Sequence, residues 1–486
     1  MKKLITLVTL ALLCVGTVNA QDDVIGKSNI KLKSRMMTPE ALWAMGRIGT
    51  VAASPDGSKV AYQVGYYSVK QNKSRQVICV MNGDGSNQRQ LSVSSGSLTK
   101  GQSVALQSAA GKSETDPAWL DNETIAFICG GEIWAMKADG SERRQLSKTD
   151  GKEEGFLFSP DRQKVIVLKS IPFHEIIKEN PSDLPKATGR RVTDLMYRHW
   201  DHYVESIQHP FVCSVDDGFA VAPSATDILE GEPYECPMEP FGGIEQLAWS
   251  PDSKAIAYTC RKKTGTQYAI STDSDIYFYK ISTRETKNLC KPADWKAPKS
   301  DPSHTLADQA VNQSGANTGY DQNPQFSPDG KYIAWQSMAR DGYEADLNRL
   351  CIYSLENGTM RYLDWKSDVE AFCWAPATGK KPKAADPQFY FLSVWHGCNN
   401  MYMATQKGEV AQLTETWDDW PSLQMANDGQ RILATRQSLS TPTDIYMVTP
   451  AAKKQATRIQ QITFENKHIL DQLTFGKMQQ IGRAHV

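Results

Sequence analysis

The chain has 486 residues, 40% hydrophobic and 22% charged, a composition ordinary for a folded protein. Its 54 Lys and Arg against 55 Asp and Glu leave the net charge near zero, which excludes the global basic field of a nucleic-acid or anionic-lipid binder. No CxxC pair or His–Cys spacing suggests zinc, and no cofactor is expected.

Read in chain order, the first element is a leader. Lys2 and Lys3 precede an apolar run from Leu4 to about Val15, and Val18-Asn19-Ala20 closes it with small residues, the pattern of a secretory signal peptide cleaved after Ala20. The run is shorter than the ~20 residues a membrane span needs, and no later stretch is long and apolar enough. Cys14 invites lipidation, but Leu13 stands where that signal wants a small residue. An exported, soluble chain is expected, with no membrane or nucleic-acid partner.

Residues 21–47 form a lead-in with one short helix, "TPEALWAMG": Thr38 caps, Pro39 takes the first helical position, Glu40 favours the N-terminal dipole and Gly46 stops it. From residue 48 a unit repeats. "SPDG" at Ser54 is a tight turn, with Pro fixing φ, Asp bonding back to the backbone and Gly supplying positive φ. Alternating "KVAYQV" follows as a strand. "ICVMNGDGSNQRQL" from Ile78 then adds a strand, an Asp-Gly hairpin and a short polar strand. Seven such turns are expected, near Ser54, Leu120, Ser159, Ser250, Ser327, Ala375 and Ala426. Most spacings are about 40–65 residues, against ~40–50 for a propeller blade. The two longer intervals hold insertions at about 180–243 and 291–323. Four-stranded units repeated six to eight times close into a ring. The expectation is an all-β propeller of about seven blades over 48–450, with 451–480 as a linker.

Nine of the ten cysteines follow the leader, several inside strand-like runs such as Cys79, Cys129 and Cys351, and read as small buried hydrophobes. Cys213 and Cys236, flanking an insertion, are the one pair that invites a disulfide. "YRHWDHYVESIQH" places His199, His202 and His209 among aromatics. The i, i+3 pair has ligand spacing but no pinned partner, so packing is the expectation. Asp418 and Asp419 stand between two tryptophans in a loop. The last six residues, "IGRAHV", are the translation of a common sequencing adapter. Residues 481–486 are therefore expected not to be native, the true sequence diverging after Gln480.

"MTPEALWAMGRIG" leading into "ASPDG", "DLMYRHWDHY" from Asp194 and "SMARDGYEADLNRL" from Ser337 resemble, in order, the propeller half of prolyl oligopeptidase family serine peptidases, nearest the dipeptidyl peptidase 5-like ones. The resemblance covers Met36 to Gln480. It implies an α/β-hydrolase domain in cis carrying a Ser-Asp-His triad, an oligopeptide substrate, and a whole protein able to form a homodimer. No G-x-S-x-G elbow occurs here, so no catalytic residue is assigned and the chain alone is expected to be inactive. The resemblance also implies propeller carboxylates that hold the peptide's α-ammonium. Glu344 and Asp346 are the candidates, with Arg340 able to pair with either. A second reading stays open, a self-contained TolB-like binding propeller without catalysis. The two readings part at Leu42, Trp43, Ile469, Leu470 and Phe475, which have no evident home in a closed ring and would form an exposed apolar patch.

Overall fold

Six of the seven expected turns form, the one near Ala375 running outside the described residues, and one hydroxyl organises four of them. Ser54, Ser159, Ser250 and Ser327 each donate to the Asp two residues on (2.6–2.7 Å). Each also accepts a backbone N–H as the next strand begins, at Lys59, Lys164, Ala255 and Tyr332. Gly57, Gly330 and Gly429 supply the left-handed residue. In two copies Arg162 and Ser253 take that conformation instead, and both side chains are in use. Arg162 donates to the carbonyls of Trp119 and Leu120, and Ser253 accepts from the Asp161 N–H. At Gly57 a Cβ would lie 3.1 Å from the Asp428 nitrogen, so a side chain there would crowd the seventh blade as well as strain the backbone.

The structure, a computed structural model, describes residues 24–93, 111–149, 151, 153–173, 177–178, 183–295, 317–376, 383, 386–451 and 456–479. The expected leader, residues 296–316 of the second insertion and the expected non-native tail lie outside them. Seven four-stranded antiparallel sheets follow each other at 47–90, 114–145, 153–227, 247–288, 321–362, 369–412 and 419–461. Each apolar core joins two neighbouring blades. Val60, Tyr62 and Met81 of the first, for example, pack on Leu433, Ile445 and Met447 of the seventh, and six further cores fill the other seams. A single blade has no core of its own, which is why the repeat must close. Indole N–H groups cross three seams, from Trp119 to Ala52 O, Trp249 to Leu157 O and Trp374 to Gln325 O.

Three boundaries differ from expectation. Ser206–Val215 and Val221–Asp227, read as insertion, are the third and fourth strands of the third blade. The true excursions are 173–205, between that blade's second and third strands, and 228–246. Arg458–Gln461, read as linker, is the last strand of the seventh blade. Its register with Tyr446–Thr449 was hidden because polar outer strands carry no apolar alternation. Cys213 and Cys236 are free thiols, buried in the cores on opposite sides of the third blade, so they cannot pair.

The ring closes without exchanging a strand. Gln424 and Asn427 of the seventh blade donate to Val51 O and Ser54 O of the first, and Gln88 returns a bond to Ile462 O. Helix α1 (Pro39–Ala44) is capped by Thr38 as expected. Gly46 does more than stop it. The Asn466 amide bonds both its N–H (2.8 Å) and its C=O (2.7 Å), an approach that a Cβ, 2.8 Å from Tyr66 and 2.9 Å from Glu465, would block. Ile469 is buried with Met45 and Leu473, and Leu470 and Phe475 pack on the same cluster beside Ile30 and Leu32. Three of the five apolar residues expected to lack a home therefore have one, against the lead-in. Leu42 and Trp43 stay exposed, with Trp43 edge-on to Tyr67 and under the Arg47 guanidinium.

Candidate functional site

In a four-stranded meander the first–second and third–fourth turns share one face. The second–third hairpins and the connections between blades share the other. The SPDG turns thus lie opposite everything the sequence singled out for function. The aromatic excursion 173–205, helix α2 (Gly265–Ile270), the loop 338–348, the hairpin at His396–Gly397, the connection 413–418 and both terminal segments all emerge on one face. First strands pack side by side where the first and second, fourth and fifth, and sixth and seventh blades meet, and they line the inner wall. Four of them start with an acid on this face, at Glu114, Glu153, Asp321 and Asp419.

The loop 338–348 brings the three candidate residues together but gives them different tasks. Arg340 grips Asp346: its Nε lies 2.9 Å from Oδ1, its N–H donates to Oδ2 at 2.9 Å, and Nη2 also contacts Oδ1. Its guanidinium stacks on Tyr343 at 3.9 Å. Those hydrogen bonds hold the Asp346 carboxyl below the usual carboxylate range. Asp346 is thereby occupied. Glu344 is exposed and has no hydrogen bond or ion pair among the described residues. Asp341 anchors the loop to the end of α2 through Ser271 Oγ (2.8 Å) and the Thr272 N–H (2.8 Å). Beside it Tyr320 is pushed up by burial and, against Arg261, by the Glu344 and Glu245 carboxylates. Glu245, Arg261 and Tyr320 escaped sequence reading because they start or end strands in two different blades, with no shared motif.

His199 is buried, its Nε2 3.0 Å from Glu235, and Glu235 also takes the Tyr268 hydroxyl. This fastens the aromatic excursion to α2 over Met196, Val204 and Ile207. His202 is exposed beside Asp201, and His209 is buried on Asp227 at 2.9 Å. The His199 and His202 rings lie 5.8 Å apart but bond different carboxylates, and among the described residues no third ligand atom joins them. Among the described residues one group could gather three metal-ligand atoms within 4.8 Å, Asp275, Cys290 and Asp321. Its oxygens are already taken by Lys291, Asn288, Asn317 and Trp335. No helix among the described residues is long and apolar enough to cross a membrane.

No family model matches the chain. Similarity to individual proteins is extensive. Over 446 residues, 90% of this chain, it is 40% identical to dipeptidyl-peptidase 5 of Porphyromonas gingivalis, spanning 57% of that protein. The dipeptidyl-peptidase 5 of Porphyromonas endodontalis is 35% identical over 91% of the chain, again at 57% of its own length. An acylaminoacyl peptidase of Pyrococcus horikoshii superposes with a TM-score of 0.54 at 13% identity, over 88% of this chain and 54% of that one, which establishes the shared propeller fold. The chain is a seven-bladed propeller that shares its fold with part of that acylaminoacyl peptidase. It corresponds to the propeller portion of a dipeptidyl-peptidase-like protein.

Proposed function

We propose that this chain is the substrate-gating propeller of an exported serine exopeptidase that releases dipeptides from oligopeptide N-termini, the Ser-Asp-His triad lying outside these residues. The similarity to two dipeptidyl-peptidases 5 over nine-tenths of the chain carries the reading. The packing of Ile469, Leu470 and Phe475 removes one argument first raised for it, since those residues no longer ask for a second domain.

In this reading Glu344 receives the substrate's α-ammonium, and Arg340 with Asp346 is a rigid brace that presents it. A fixed ammonium sets how many residues reach the nucleophile, so the propeller measures out the dipeptide. The complete protein, its mature N-terminus expected at Gln21, tests this as wild type and as Glu344→Gln. On dipeptidyl-naphthylamides with a free amine the variant should raise KM about tenfold, as loss of a charged hydrogen bond implies, with kcat nearly kept. N-acetylated substrates should show no such change. Equal losses on both substrate types, or none on either, would remove Glu344 from this role. Absence of any dipeptide release by the wild type would remove the reading itself.

A further inference from the structure

A cavity of about 560 Å³ opens on the same face between the sixth and seventh blades, lined by His396, Cys398, Trp417, Asp419, Leu439 and Met478 among others. Its wall is aromatic. Trp395 lies 5.2 Å from Trp417 and 4.3 Å from His396, centroid to centroid. The His396 ring is set there by a left-handed backbone (φ 50°). Trp417 is 40% exposed and Met478 52%, so these surfaces face solvent rather than each other.

The charge beside this wall is one-sided. Asp418 is matched by Arg436. Asp419 has only the Asn399 N–H at 2.9 Å and a long contact from Gln437 at 3.4 Å. Glu370, exposed near the start of the neighbouring first strand, has no side-chain hydrogen bond or ion pair among the described residues. Its strand packs against the strand that Asp419 begins, and partial burial with the carboxylates of Asp368 and Asp419 raises it, so the three acids share one region. Next to Asp368, whose Oδ1 takes the Asn348 N–H, the Asn348 amide oxygen is buried with no partner. Among the described residues, these acids do not bring three ligand atoms within 4.8 Å of one another. They are too spread for one metal ion. They suit a cation whose charge is itself spread out.

We infer that this cavity is a subsite for a basic side chain of the bound peptide, an arginine or lysine lying against His396 and Trp417, which Trp395 backs, with Asp419 and Glu370 neutralising its charge. A guanidinium is planar, stacks on aromatic faces and loses little hydration doing so. A neutral aromatic side chain would fill the same space and leave the acids uncompensated. The inference rests on the peptide-handling reading for its choice of carrier, but not on any cleavage.

Calorimetry on this chain with acetylated tripeptide amides carrying arginine or its neutral isostere citrulline tests it at low and high salt. The arginine peptide should bind about tenfold more tightly at low salt, with the ratio shrinking as salt rises. Glu370→Gln, which breaks no internal contact, and Trp417→Leu should each bring the ratio towards one, while Glu344→Gln leaves it unchanged. Equal binding of both peptides would overturn the inference. So would a preference that follows a free α-amine on the citrulline peptide and vanishes in Glu370→Gln, since the cavity would then read the peptide terminus. Neither result depends on peptidase activity, so failure here and failure of the dipeptidase reading are separable.

Discussion

Asp321 shows what a single buried carboxyl does to the seam between the fourth and fifth blades. It is fully buried, and although Asn317 and Trp335 donate to it, burial pushes it up to about 7. The folded state therefore holds a proton that the unfolded chain, titrating near the ordinary 3.8 of an aspartate, gives up earlier. Its contribution to stability is present below about pH 4 and is lost as pH rises to about 7. Asp321→Asn should remove that dependence. Thermal midpoints from pH 4 to 7 are expected to fall more steeply for the wild type than for the variant, and parallel curves would refute the assignment.

At the scale of elements the turn is the unit that couples blades. Arg162 sits at φ 60°, where glycine is ordinarily favoured, so backbone preference alone argues that Arg162→Gly stabilises. The structure argues the reverse, because the guanidinium bonds the carbonyls of Trp119, Leu120 and Ser159. A net loss of about 1–3 kcal/mol is expected, from donors removed against buried acceptors, read as a lower urea midpoint. The same elements show what a sequence can and cannot disclose. The described turns between first and second strands were legible, because residues such as Pro, Asp and Gly act on their own neighbours in the chain. So were the inner strands, whose alternation records burial. Outer strands such as Arg458–Gln461 were not, since they are short and mostly polar, with Ile459 alone turned to a core. A second repeat was visible but unread: Ser92, Ser147, Thr414 and Thr463, two residues after four of the outer strands, accept the N–H of Ile78, Ile133, Met401 and Ile445. For the site, Arg340 and Asp346 are six residues apart and their pairing was foreseeable. Glu370 and Asp419 come from different blades, and only the closed ring makes them neighbours.

Across the whole molecule the sensitive joint is the one between the first and seventh blades, where the chain's two ends meet. Asn466 holds both polar groups of Gly46, Lys27 pairs with Glu465 at 3.1 Å, and Tyr66 donates to the same Glu465 at 2.9 Å. Asn466→Ala should cost about 2–3 kcal/mol, the sum of two buried backbone bonds lost. It should show first as faster proteolysis at that joint, with the other six seams unchanged. Uniform acceleration at every seam would mean the ring opens as one body instead.

Because no blade borrows a strand from another, the covalent order of the blades is separable from their order in space. The lead-in and the exit already run side by side, with the Thr474 N–H bonded to Arg35 O at 2.7 Å. A short linker could join them and new ends could be cut between any two blades, giving circular permutants that rebuild the same ring. Such permutants would carry the same face intact while moving the points at which the chain enters and leaves the ring, and so would separate what the ring presents from where it is tethered.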